Sequence, residues 1–528
     1  MIGRKREFKI LRECAEADRS RLIVVYGRRR VGKTFLIREA FDYSFTFTHT
    51  GIENGSYQDE LFAFWQSVKT QLDPDCERPK NWLEAFALLK TALAARPEPR
   101  KTIFIDELPW MDTRRSGFVK AVEDFWNGWA TARKDIMMVV CGSAAAWMTK
   151  KVLQNRGGLF NRASRTIYLE PFTLHECEEL VEEQQSVIDR KDIAAAYMIF
   201  GGAPYYWTLL ERRESLSQNI DRLFFSKNAE LAKEFRRLYR SVFENPEPYI
   251  AVVTALATLK IGMTREELVE SIPGMSNCGT LTEILENLEL SGFVRSYVQT
   301  GNKKKGTVFQ LVDNYTLFYF QFVRDYKGHD RDHWMHLLND RHRVTWEGLA
   351  FEMVCLQHAD QIKEALGISG VETELSAWRH RGNGADDPGA QVDLVISRGD
   401  RVTNLCEMKF SETEFVIEAD DAKSLRNKVA TFICPGEFDP MLVYGGPGSG
   451  SAAWSYDSWD YEAMANYTGF DNEHVMVFGL CNDQAGYVLR DNEYHSLFDE
   501  NEEVNIVSRT AGSTFNIAFA DLIASVKD

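Results

Sequence analysis

A chain of 528 residues is too long for one hydrophobic core, because domains usually hold about 100–200 residues, so at least three domains are expected. Apolar residues form 44% and charged residues 27% of the chain, which is typical of a globular protein and argues against a disordered or fibrous one. The net charge of −16 is concentrated at the end, since residues 1–429 have a net charge of −3 and residues 430–528 one of −13, so charge does not exclude a polyanionic partner for the first 429 residues.

Two further features of the whole chain predict a cytoplasmic location. No stretch reaches the roughly 18 apolar residues of a membrane span, and the N-terminus lacks the apolar segment of a signal peptide. The nine cysteines are scattered without a C-x-x-C pair. This pattern favours reduced thiols over a zinc cluster or a disulfide framework.

The first 170 residues alternate short apolar strands with helical stretches. Buried strands are predicted at 21–26, 101–107 and 135–143, and helices at 57–72 and 82–95. Such an alternation indicates an α/β domain with a parallel sheet covered by helices. The helical region that follows, 171–240, is expected to form a lid.

Residues 27–34, GRRRVGKT, match the phosphate-binding pattern G-x-x-x-x-G-K-[ST] between a predicted strand and a predicted helix. The glycines let backbone N–H groups face the phosphates of ATP, and the helix N-terminus adds its positive dipole end. Lys33 is expected to contact the β- and γ-phosphates, and Thr34 to bind Mg²⁺ through its hydroxyl. The nucleotide-binding residues predicted here are Gly27, Arg28, Arg29, Arg30, Val31, Gly32, Lys33, Thr34 and Phe35.

The strand IFIDE delivers Asp106 and Glu107 to the carboxyl edge of the sheet. Asp106 is predicted to coordinate Mg²⁺, and Glu107 to orient or deprotonate the attacking water. An acidic pair at a strand end could merely cap the next helix, but the phosphate loop upstream favours catalysis. The strand VVCGS places Ser143 beside Glu107, where it either senses the γ-phosphate or is a small residue at a strand end.

An arginine finger is a further prediction. Arg162 and Arg165 follow the last strand, and either could reach the γ-phosphate bound by a neighbouring subunit, with Arg162 preferred. Hydrolysis would then need a homo-oligomer. Exposed arginines without such a role are also common.

Six segments together resemble the prokaryotic AAA+/STAND-related ATPases first catalogued as archaeal ATPases, over residues 1 to about 235. They are GRKREF, YGRRRVGKT, IFIDELPW, VVCGS, LFNR and GGAPYYW. The resemblance implies that Gly3 and Arg4 help to frame the nucleotide and that Pro204 belongs to a G-x-P element near the adenine or the γ-phosphate. No isolated second-sensor arginine is identifiable, which departs from the family pattern.

Residues 241–330 are predicted to hold a winged helix and a linker. Three helical stretches precede two strands around a turn with Lys303, Lys304 and Lys305. The presumed recognition helix has no Lys or Arg but three acids that would repel a DNA backbone: Glu283, Glu286 and Glu289. A role in protein packing or switching is therefore favoured over DNA binding, although the wing lysines could touch phosphate.

Residues 331–431 carry the pattern D…E-x-K on two predicted strands, as Asp393, Glu407 and Lys409. Two acids would bind Mg²⁺, and the lysine would activate the hydroxide that attacks phosphorus. A three-residue loop centred on Asp400 would place Asp393 opposite Glu407, whereas a two-residue turn would place it opposite Cys406. Acids in a hairpin are otherwise usually only solvated.

The segments WEGLAFE, QVDLVI and CEMKFS resemble the restriction-endonuclease-like PD-(D/E)XK domain of unknown function that is often fused to these ATPases. The resemblance implies that Glu352 is a further metal ligand, and Arg379 and Arg381 would bind phosphate. Gln391 stands where the family commonly has an acid, which weakens the expected metal site. The resemblance stops near Phe432, and residues 432–528 form an acidic tail of uncertain fold.

The expected fold is therefore α/β: a P-loop NTPase sheet with a helical lid, a winged helix and a restriction-endonuclease-like domain. The leading hypothesis is a Mg²⁺-dependent ATPase whose nucleotide state controls a nuclease-like domain acting on DNA or RNA. The alternative is a STAND-like switch that binds ATP slowly, oligomerises, and presents its later domains to a protein partner.

Overall fold

The computed structural model divides the protein into two compact units, 1–298 with 303–358, and 299–302 with 359–528. The described residues are 1–154, 159, 162–259, 262–298, 307–328, 330, 332–338, 340–380, 390–400, 402–410 and four short strands between 430 and 488. Among them, no helix is long and apolar enough to cross a membrane. The predictions made for Lys303, Lys304, Lys305, Arg381 and most of the tail lie outside these residues.

A five-stranded parallel sheet forms the centre of the first unit. Its strands are β1 Arg21–Tyr26, β2 Phe47–Thr50, β3 Lys101–Asp106, β4 Ile136–Gly142 and β5 Arg165–Tyr168. Their order is β2-β3-β4-β1-β5. β1, β3 and β4 lie where the apolar runs predicted them, whereas the four-residue strands β2 and β5 at the two edges were not predicted.

Helices cover both faces of this sheet. They are α1 Lys5–Ala15, α2 Lys33–Ala40, α3 Tyr57–Gln71, α4 Trp82–Ala94, α5 Leu108–Met111, α6 Phe118–Gly128 and α7 Ala145–Trp147. Because side chains alternate along a strand, Ile103 and Ile105 of β3 pack into one core with residues of α3, α4 and α6, while Phe104 packs into the other with residues of α1 and α2. With both faces buried, the carboxyl edge of the sheet is a rigid support for a site.

A helical region and a small antiparallel sheet complete the first unit. The helices after β5 are α8 Leu174–Glu183, α9 Arg190–Phe200, α10 Pro204–Trp207, α11 Leu216–Ile220 and α12 Glu234–Val242. Next come α13 Pro246–Leu256, β6 Met263–Thr264, α14 Arg265–Ser271, α15 Gly279–Leu290, β7 Val294–Val298 and β8 Thr307–Leu311. The strands pair in the order β6-β8-β7, so these elements follow the order expected of a winged helix, with β6 as an addition to the prediction.

Three helices follow, α16 Asn314–Phe318, α17 His333–His336 and α18 Arg341–Gln357. Short 3-10 or π-helical turns occur at Ala130–Ala132, Met148–Leu153, Asp221–Phe225, Leu231–Lys233 and Tyr319–Val323. The first unit extends to His358. It thus contains α18, which the boundary at 331 had assigned to the nuclease-like domain.

The helix α15, predicted as a recognition helix, contacts the turn that follows α7 beside the parallel sheet. Lys150, in the turn after α7, donates to Oδ1 of Asn287 at 2.8 Å, and its Nζ lies 3.6 Å from a carboxylate oxygen of Glu286. The apolar side chains on the other face of α15, such as Leu285, are buried. α15 is thus packed within the first unit, and its role in protein packing or switching stays a prediction.

The second unit contains α19 Ala359–Ala365 and the strands β9 Thr373–His380, β10 Ala390–Arg398 and β11 Thr403–Cys406, which form an antiparallel sheet of order β11-β10-β9. Ser397 pairs with Thr403, and the Arg398 N–H donates to the carbonyl of Val402 at 2.9 Å. The loop between β10 and β11 therefore has three residues centred on Asp400, which is the first of the two alternatives considered.

Four short strands are described beyond this sheet: β12 Ala430–Ile433, β13 Glu437–Phe438, β14 Val475–Phe478 and β15 Tyr487–Val488. β12 pairs with β14 and β13 with β15, both in parallel. The sequence pattern of residues 419–432, ADDAKSLRNKVATF, predicts a helix, but its end is wrong because residues 430–432 are extended in β12. Pairing with β14 prevails there over the local helical pattern.

Candidate functional site

The phosphate loop joins β1 to α2, and its backbone conformation requires glycine at two positions. Gly27 has φ +148°, and a Cβ there would lie 2.4 Å from the carbonyl oxygen of Leu169. Gly32 has φ +87° and immediately precedes α2. Both values lie in the region that side chains disfavour. The loop therefore turns sharply from the strand into the helix and places Lys33 and Thr34 on the first helical turn.

Lys33 is buried, with 5% of its surface exposed, and its ammonium group lies over the phosphate loop. It donates to the carbonyl oxygens of Gly27 at 3.1 Å and Arg28 at 2.7 Å, and to Oγ of Ser143 at 3.1 Å. Burial lowers the pKa of Lys33, while the nearby carboxylates of Glu107 and Asp106 oppose this shift. A buried lysine held by neutral groups can exchange these contacts for phosphate oxygens.

Asp106 lies at the end of β3, 4% exposed, and three donors surround its carboxylate. The Thr34 hydroxyl donates to Oδ2 at 2.9 Å. The Glu107 N–H and the Cys141 thiol donate to Oδ1 at 3.0 and 2.6 Å. Burial, together with the two neighbouring carboxylates, raises the pKa of Cys141, so that residue stays a neutral thiol. The hydroxyl and the carboxylate predicted to bind Mg²⁺ are therefore direct neighbours.

Glu107 is the next residue and has a left-handed backbone with φ 47°. Ser143, which follows β4, holds its carboxylate twice: the backbone N–H donates to Oε2 at 2.9 Å and the hydroxyl to Oε1 at 2.5 Å. The same hydroxyl accepts from Lys33. Ser143 thus lies beside Glu107, where the adjacent strands β3 and β4 were expected to bring it, and connects the acid to the lysine.

The three arginines of the phosphate loop pair with acids from three different elements. The pairs are Arg28 with Asp313 at 2.5 Å, Arg29 with Glu53 at 3.6 Å and Arg30 with Glu234 at 3.0 Å. Because their guanidinium groups are paired with these acids, the three arginines would bind nucleotide through the backbone N–H groups of the loop. No sequence pattern pointed to the three acids; Asp313 could be recognised only as the residue that caps α16.

The Arg28 pair connects the phosphate loop to the segment that was predicted to be a winged helix. Its guanidinium lies 5.0 Å from the ring centroid of Phe293, which precedes β7, and Asp313 follows β8. Burial opposes the charge on Arg28, but the contact with Asp313 outweighs it and raises the pKa of Arg28. Arg30 connects the loop to α12 through Glu234 and lies 3.9 Å from the ring centroid of Tyr205 on α10.

Of the residues implied by the family resemblance, Arg4 contacts this loop directly, and the residue after Pro204 does so through its backbone. Arg4 donates to the carbonyl of Glu170 at 2.6 Å and to that of Val31, in the phosphate loop, at 3.4 Å. Gly3, whose φ is +55°, donates its N–H to Glu179 at 3.4 Å. Pro204 begins α10, and the N–H of the next residue donates to the carbonyl of Arg30 at 3.4 Å.

Of the two candidates for the arginine finger, Arg165 lies away from the phosphate loop of its own chain. Arg165 begins β5 and pairs with Ile23, near the start of β1, so it lies towards the amino edge of the sheet, opposite the loop. Arg162 is exposed. A finger acts on a neighbouring subunit, so the role of either arginine stays a prediction.

In the second unit, the predicted acids lie on the β10–β11 hairpin. Leu394 pairs with Cys406, so the same register places Asp393 opposite Glu407. Oδ2 of Asp393 accepts from the Met408 N–H at 2.9 Å, and Nζ of Lys409 lies 2.5 Å from Oε1 of Glu407. The hairpin thus brings the two acids and the lysine of the D…E-x-K pattern together.

The other residues predicted for that site lie on α18, β9 and β10. Glu352 lies on α18 in the first unit. Gln391 and Arg379 pair across β10 and β9. Within the described part of the chain, no cluster of three or more His, Cys, Asp or Glu side chains could hold a metal ion. Metal binding in the second unit therefore stays a prediction.

Comparison with known proteins agrees with this geometry. Residues 1–210 match the model of a family described as an ATPase domain predominantly from Archaea. An uncharacterized protein of Methanocaldococcus jannaschii is 22% identical over 421 residues, which cover 78% of this chain and 88% of that protein.

Among solved structures, the Walker-type ATPase of Pyrococcus abyssi is 14% identical with a TM-score of 0.41, over 61% of this chain and 96% of that one. The ORC2 protein of Aeropyrum pernix, solved as ADPNP–ADP complexes, is 12% identical with a TM-score of 0.38, over 68% of this chain and 96% of that one.

Proposed function

We propose that this chain binds and hydrolyses ATP with Mg²⁺, since residues 1–210 match the model of an ATPase domain predominantly from Archaea. One observation carries the proposal: Thr34, Asp106, Glu107, Ser143 and Lys33 form a continuous chain of short contacts at the carboxyl edge of the sheet. These residues supply the lysine, the metal ligands and the acid that phosphoryl transfer to water requires.

The donor set fits a magnesium nucleotide. The Thr34 hydroxyl and the Asp106 carboxylate are oxygen ligands of the kind that Mg²⁺ prefers, and they are 2.9 Å apart. Bound Mg²⁺ would neutralise charge on the phosphates. The loop from Gly27 to Gly32 offers backbone N–H groups to the phosphates, and Lys33 would leave its carbonyl partners to contact the β- and γ-phosphates.

Glu107 would orient the attacking water and accept its proton. In this structure Ser143 occupies both oxygens of the Glu107 carboxylate. Because Lys33 also contacts the Ser143 hydroxyl, movement of Lys33 towards a γ-phosphate would weaken the hydrogen bonds from Ser143 to Glu107. We infer that binding of the triphosphate and release of the catalytic acid are coupled through Ser143.

The experiment compares wild type with Lys33→Ala in ATP binding and turnover. The variant should lose binding or turnover, whereas equal turnover by the two purified proteins would overturn the proposal. A matched control is Lys120→Ala on α6, a lysine that is exposed, and it should behave as wild type.

A second proposed activity concerns the hairpin of the second unit. We propose that Asp393, Glu407 and Lys409 form a metal-dependent nuclease site that the nucleotide state controls. The supporting observation is the register that places Asp393 opposite Glu407 with Lys409 beside it. Cutting of DNA or RNA with Mg²⁺ or Mn²⁺ should disappear in Lys409→Ala, and no cutting by wild type under any nucleotide condition would reject this activity.

The competing proposal is a switch without nuclease activity, supported by the Arg28–Asp313 and Arg30–Glu234 pairs and by the packing of α15 on the ATPase part. A nucleotide that moves the loop would strain these contacts and could release a surface for homo-oligomers or a protein partner. Solution mass with ADP and with a non-hydrolysable ATP analogue tests it. A larger mass with the analogue and no nuclease activity would favour the switch.

A further inference from the structure

The outer side of α12 carries an unusual concentration of positive charge. Lys233, the residue just before α12, and Arg236, Arg237 and Arg240 on α12 are all exposed. Their spacing of three or four residues places them in one stripe along the helix, which we call the basic face. Among the described residues, none of the four forms an ion pair with a carboxylate, although the chain has more acids than bases.

The other side of α12 is fixed in the first unit. Phe235, Leu238 and Tyr239 are buried. Glu234 is 2% exposed and accepts from the Arg30 guanidinium at 3.0 and 3.4 Å. The basic face is therefore presented by a rigid helix, and that helix is tied directly to the phosphate loop.

Half-buried aromatic rings border the basic face. Tyr319 stacks on Phe235 with ring centroids 4.3 Å apart, and Phe320 lies 5.2 Å from Phe235. Arg324 lies over the Phe320 ring at 5.3 Å. Burial raises the pKa of Tyr319, and the positive charges of Arg236 and Arg324 oppose that rise.

We propose that the basic face of α12 binds the phosphate backbone of a nucleic acid. Lys233 and Arg240 are about 10 Å apart along the helix axis, at about 1.5 Å per residue. That distance spans about three phosphates of one strand, which follow each other at about 3.4 Å along the axis. Cations at this spacing, next to part-exposed aromatic rings, are the combination that binds single strands.

An acidic polypeptide is the main competitor for this face, and the aromatic border decides against it. The carboxylates of a peptide would contact only the cations, whereas the bases of a nucleic acid can also stack on Tyr319 or Phe320. The face is separate from the predicted recognition helix α15, whose acids face solvent. It therefore gives the first unit a contact with nucleic acid that does not depend on α15.

The second half of the inference concerns regulation and rests on the proposed ATPase function. Because Glu234 joins α12 to Arg30, a nucleic acid that shifts α12 also shifts the phosphate loop. Coupling between two sites is reciprocal for binding, so ATP should change the affinity for nucleic acid by the same factor as nucleic acid changes the affinity for ATP.

The binding test uses the full-length chain without nucleotide and a fluorescein-labelled oligothymidylate, followed by anisotropy. Arg236→Gln/Arg237→Gln/Arg240→Gln should bind at least about tenfold more weakly than wild type. Its plot of log K against log salt should be shallower by about 2, at about 0.7 per lost phosphate contact. The triple Arg→Lys variant keeps the charge and should bind nearly as wild type.

The matched control removes three other positive charges, from the exposed residues Arg212, Arg213 and Lys227 as Arg212→Gln/Arg213→Gln/Lys227→Gln. It should bind the oligonucleotide within about twofold of wild type, because only the overall electrostatic field of the protein changes. Equal losses in the two triple variants would overturn the proposal. Displacement of the oligonucleotide by polyglutamate at equal charge concentration would also overturn it and point to an acidic polypeptide.

The coupling is tested by ATP binding of wild type and Glu234→Gln with and without the oligonucleotide. Wild type should show a change of about fivefold or more, and the variant a smaller one. If wild type binds the oligonucleotide but not ATP, the proposed ATPase function fails while the basic face stands. If ATP binds but the three arginines do not matter, only this inference fails.

Discussion

Two acid pairs, each next to a lysine, are built into different parts of this protein. Asp106 and Asp393 are similarly buried, at 4% and 9% exposure. In the first unit, Asp106 and Glu107 are held by neutral donors, and Lys33 contacts carbonyls and Ser143. On the hairpin, Lys409 pairs directly with Glu407, and its side chain is 44% exposed.

The two acid pairs differ in what contacts their carboxylates, and this difference changes what similar residue types can bind. Asp106 and Glu107 are held directly by neutral donors and are only approached by Lys33, so their negative charge remains available for Mg²⁺ and for a proton from water. Lysine in contact with Glu407 compensates its charge and opposes a cation at the same place. A pattern of acids and lysine therefore indicates chemistry only once the partner of each charge is known.

The largest effect is expected for Glu107→Gln. The amide keeps the size of the side chain but cannot accept a proton, so turnover should fall about 100-fold or more while ATP binding changes little. Steady-state turnover and equilibrium binding of ATP separate the two effects. Glu247→Gln, at an exposed position on α13, is the control. If turnover by Glu107→Gln stays within a few-fold of wild type, a neutral amide and a charged carboxylate are equivalent at position 107.

Removal of one partner of a buried ion pair should come next. Arg28→Met leaves Asp313 charged and buried, so the free energy of unfolding of the first unit should fall by about 3 kcal/mol. Arg12 forms an exposed pair with Asp42 at 2.8 Å, and Arg12→Met should cost less than about 1 kcal/mol. Chemical denaturation of both variants measures the difference. Equal losses would mean that the connection from the phosphate loop to Asp313 contributes no more to stability than a surface pair.

A third acid near the phosphate loop, Glu60, is buried with no cation in contact in the described structure. It accepts from the Ile52 N–H at 2.8 Å, beside Glu53, the partner of Arg29. Burial raises the pKa of Glu60 to about 7, from its ordinary 4.5. The folded state therefore favours the protonated form, and the stability that this group contributes is lost as the pH rises from about 4.5 through about 7.

Glu60→Gln does not titrate, so its stability relative to wild type should increase between pH 5 and pH 8, by on the order of 2 kcal/mol. Thermal or chemical unfolding at both pH values measures this change. Glu183→Gln, at an exposed position, should follow wild type at each pH. A difference that shrinks with rising pH would contradict the assignment of a neutral buried acid.

The smallest expected effect concerns the hairpin. If Lys409 compensates Glu407, Lys409→Met should strengthen Mn²⁺ binding in nucleotide-free protein by roughly threefold, since a charge near 4 Å contributes about 1 kcal/mol or less in water. Lys363→Met removes a comparable partner of Asp360 in the same unit and should leave Mn²⁺ binding unchanged. Calorimetric titration distinguishes them. Weaker Mn²⁺ binding in Lys409→Met would mean that the lysine helps to build the metal site.

Much of the first site was predictable because its signals are local. GRRRVGKT sets the glycines, the lysine and the threonine within eight residues, and IFIDE ends an apolar strand with two acids. Parallel strands end at the same edge of a sheet, so the proximity of these segments followed from their order. The hairpin was predictable in outline, but the two turn lengths differed in the register of every pair, and only the observed pairing selected the three-residue loop.

The rest depended on contacts between distant parts of the chain. β2 and β5 have four residues each and are recognisable chiefly by their pairing with β3 and β1. The partners of the loop arginines are 204 residues away for Arg30 and 285 for Arg28, and no local pattern carries that information. The basic face of α12 likewise emerges only when burial shows which side of the helix is covered.

By itself, the amino-acid sequence determined that a phosphate loop and an acidic strand end meet at one edge of a parallel sheet. These features arise from backbone preferences and apolar periodicity, which act over a few residues. Only the tertiary structure decided which charge faces which: Glu107 on Ser143, Arg28 on Asp313, Arg30 on Glu234. Electrostatic partnership depends on distance in space, and folding brings together groups that the chain keeps far apart.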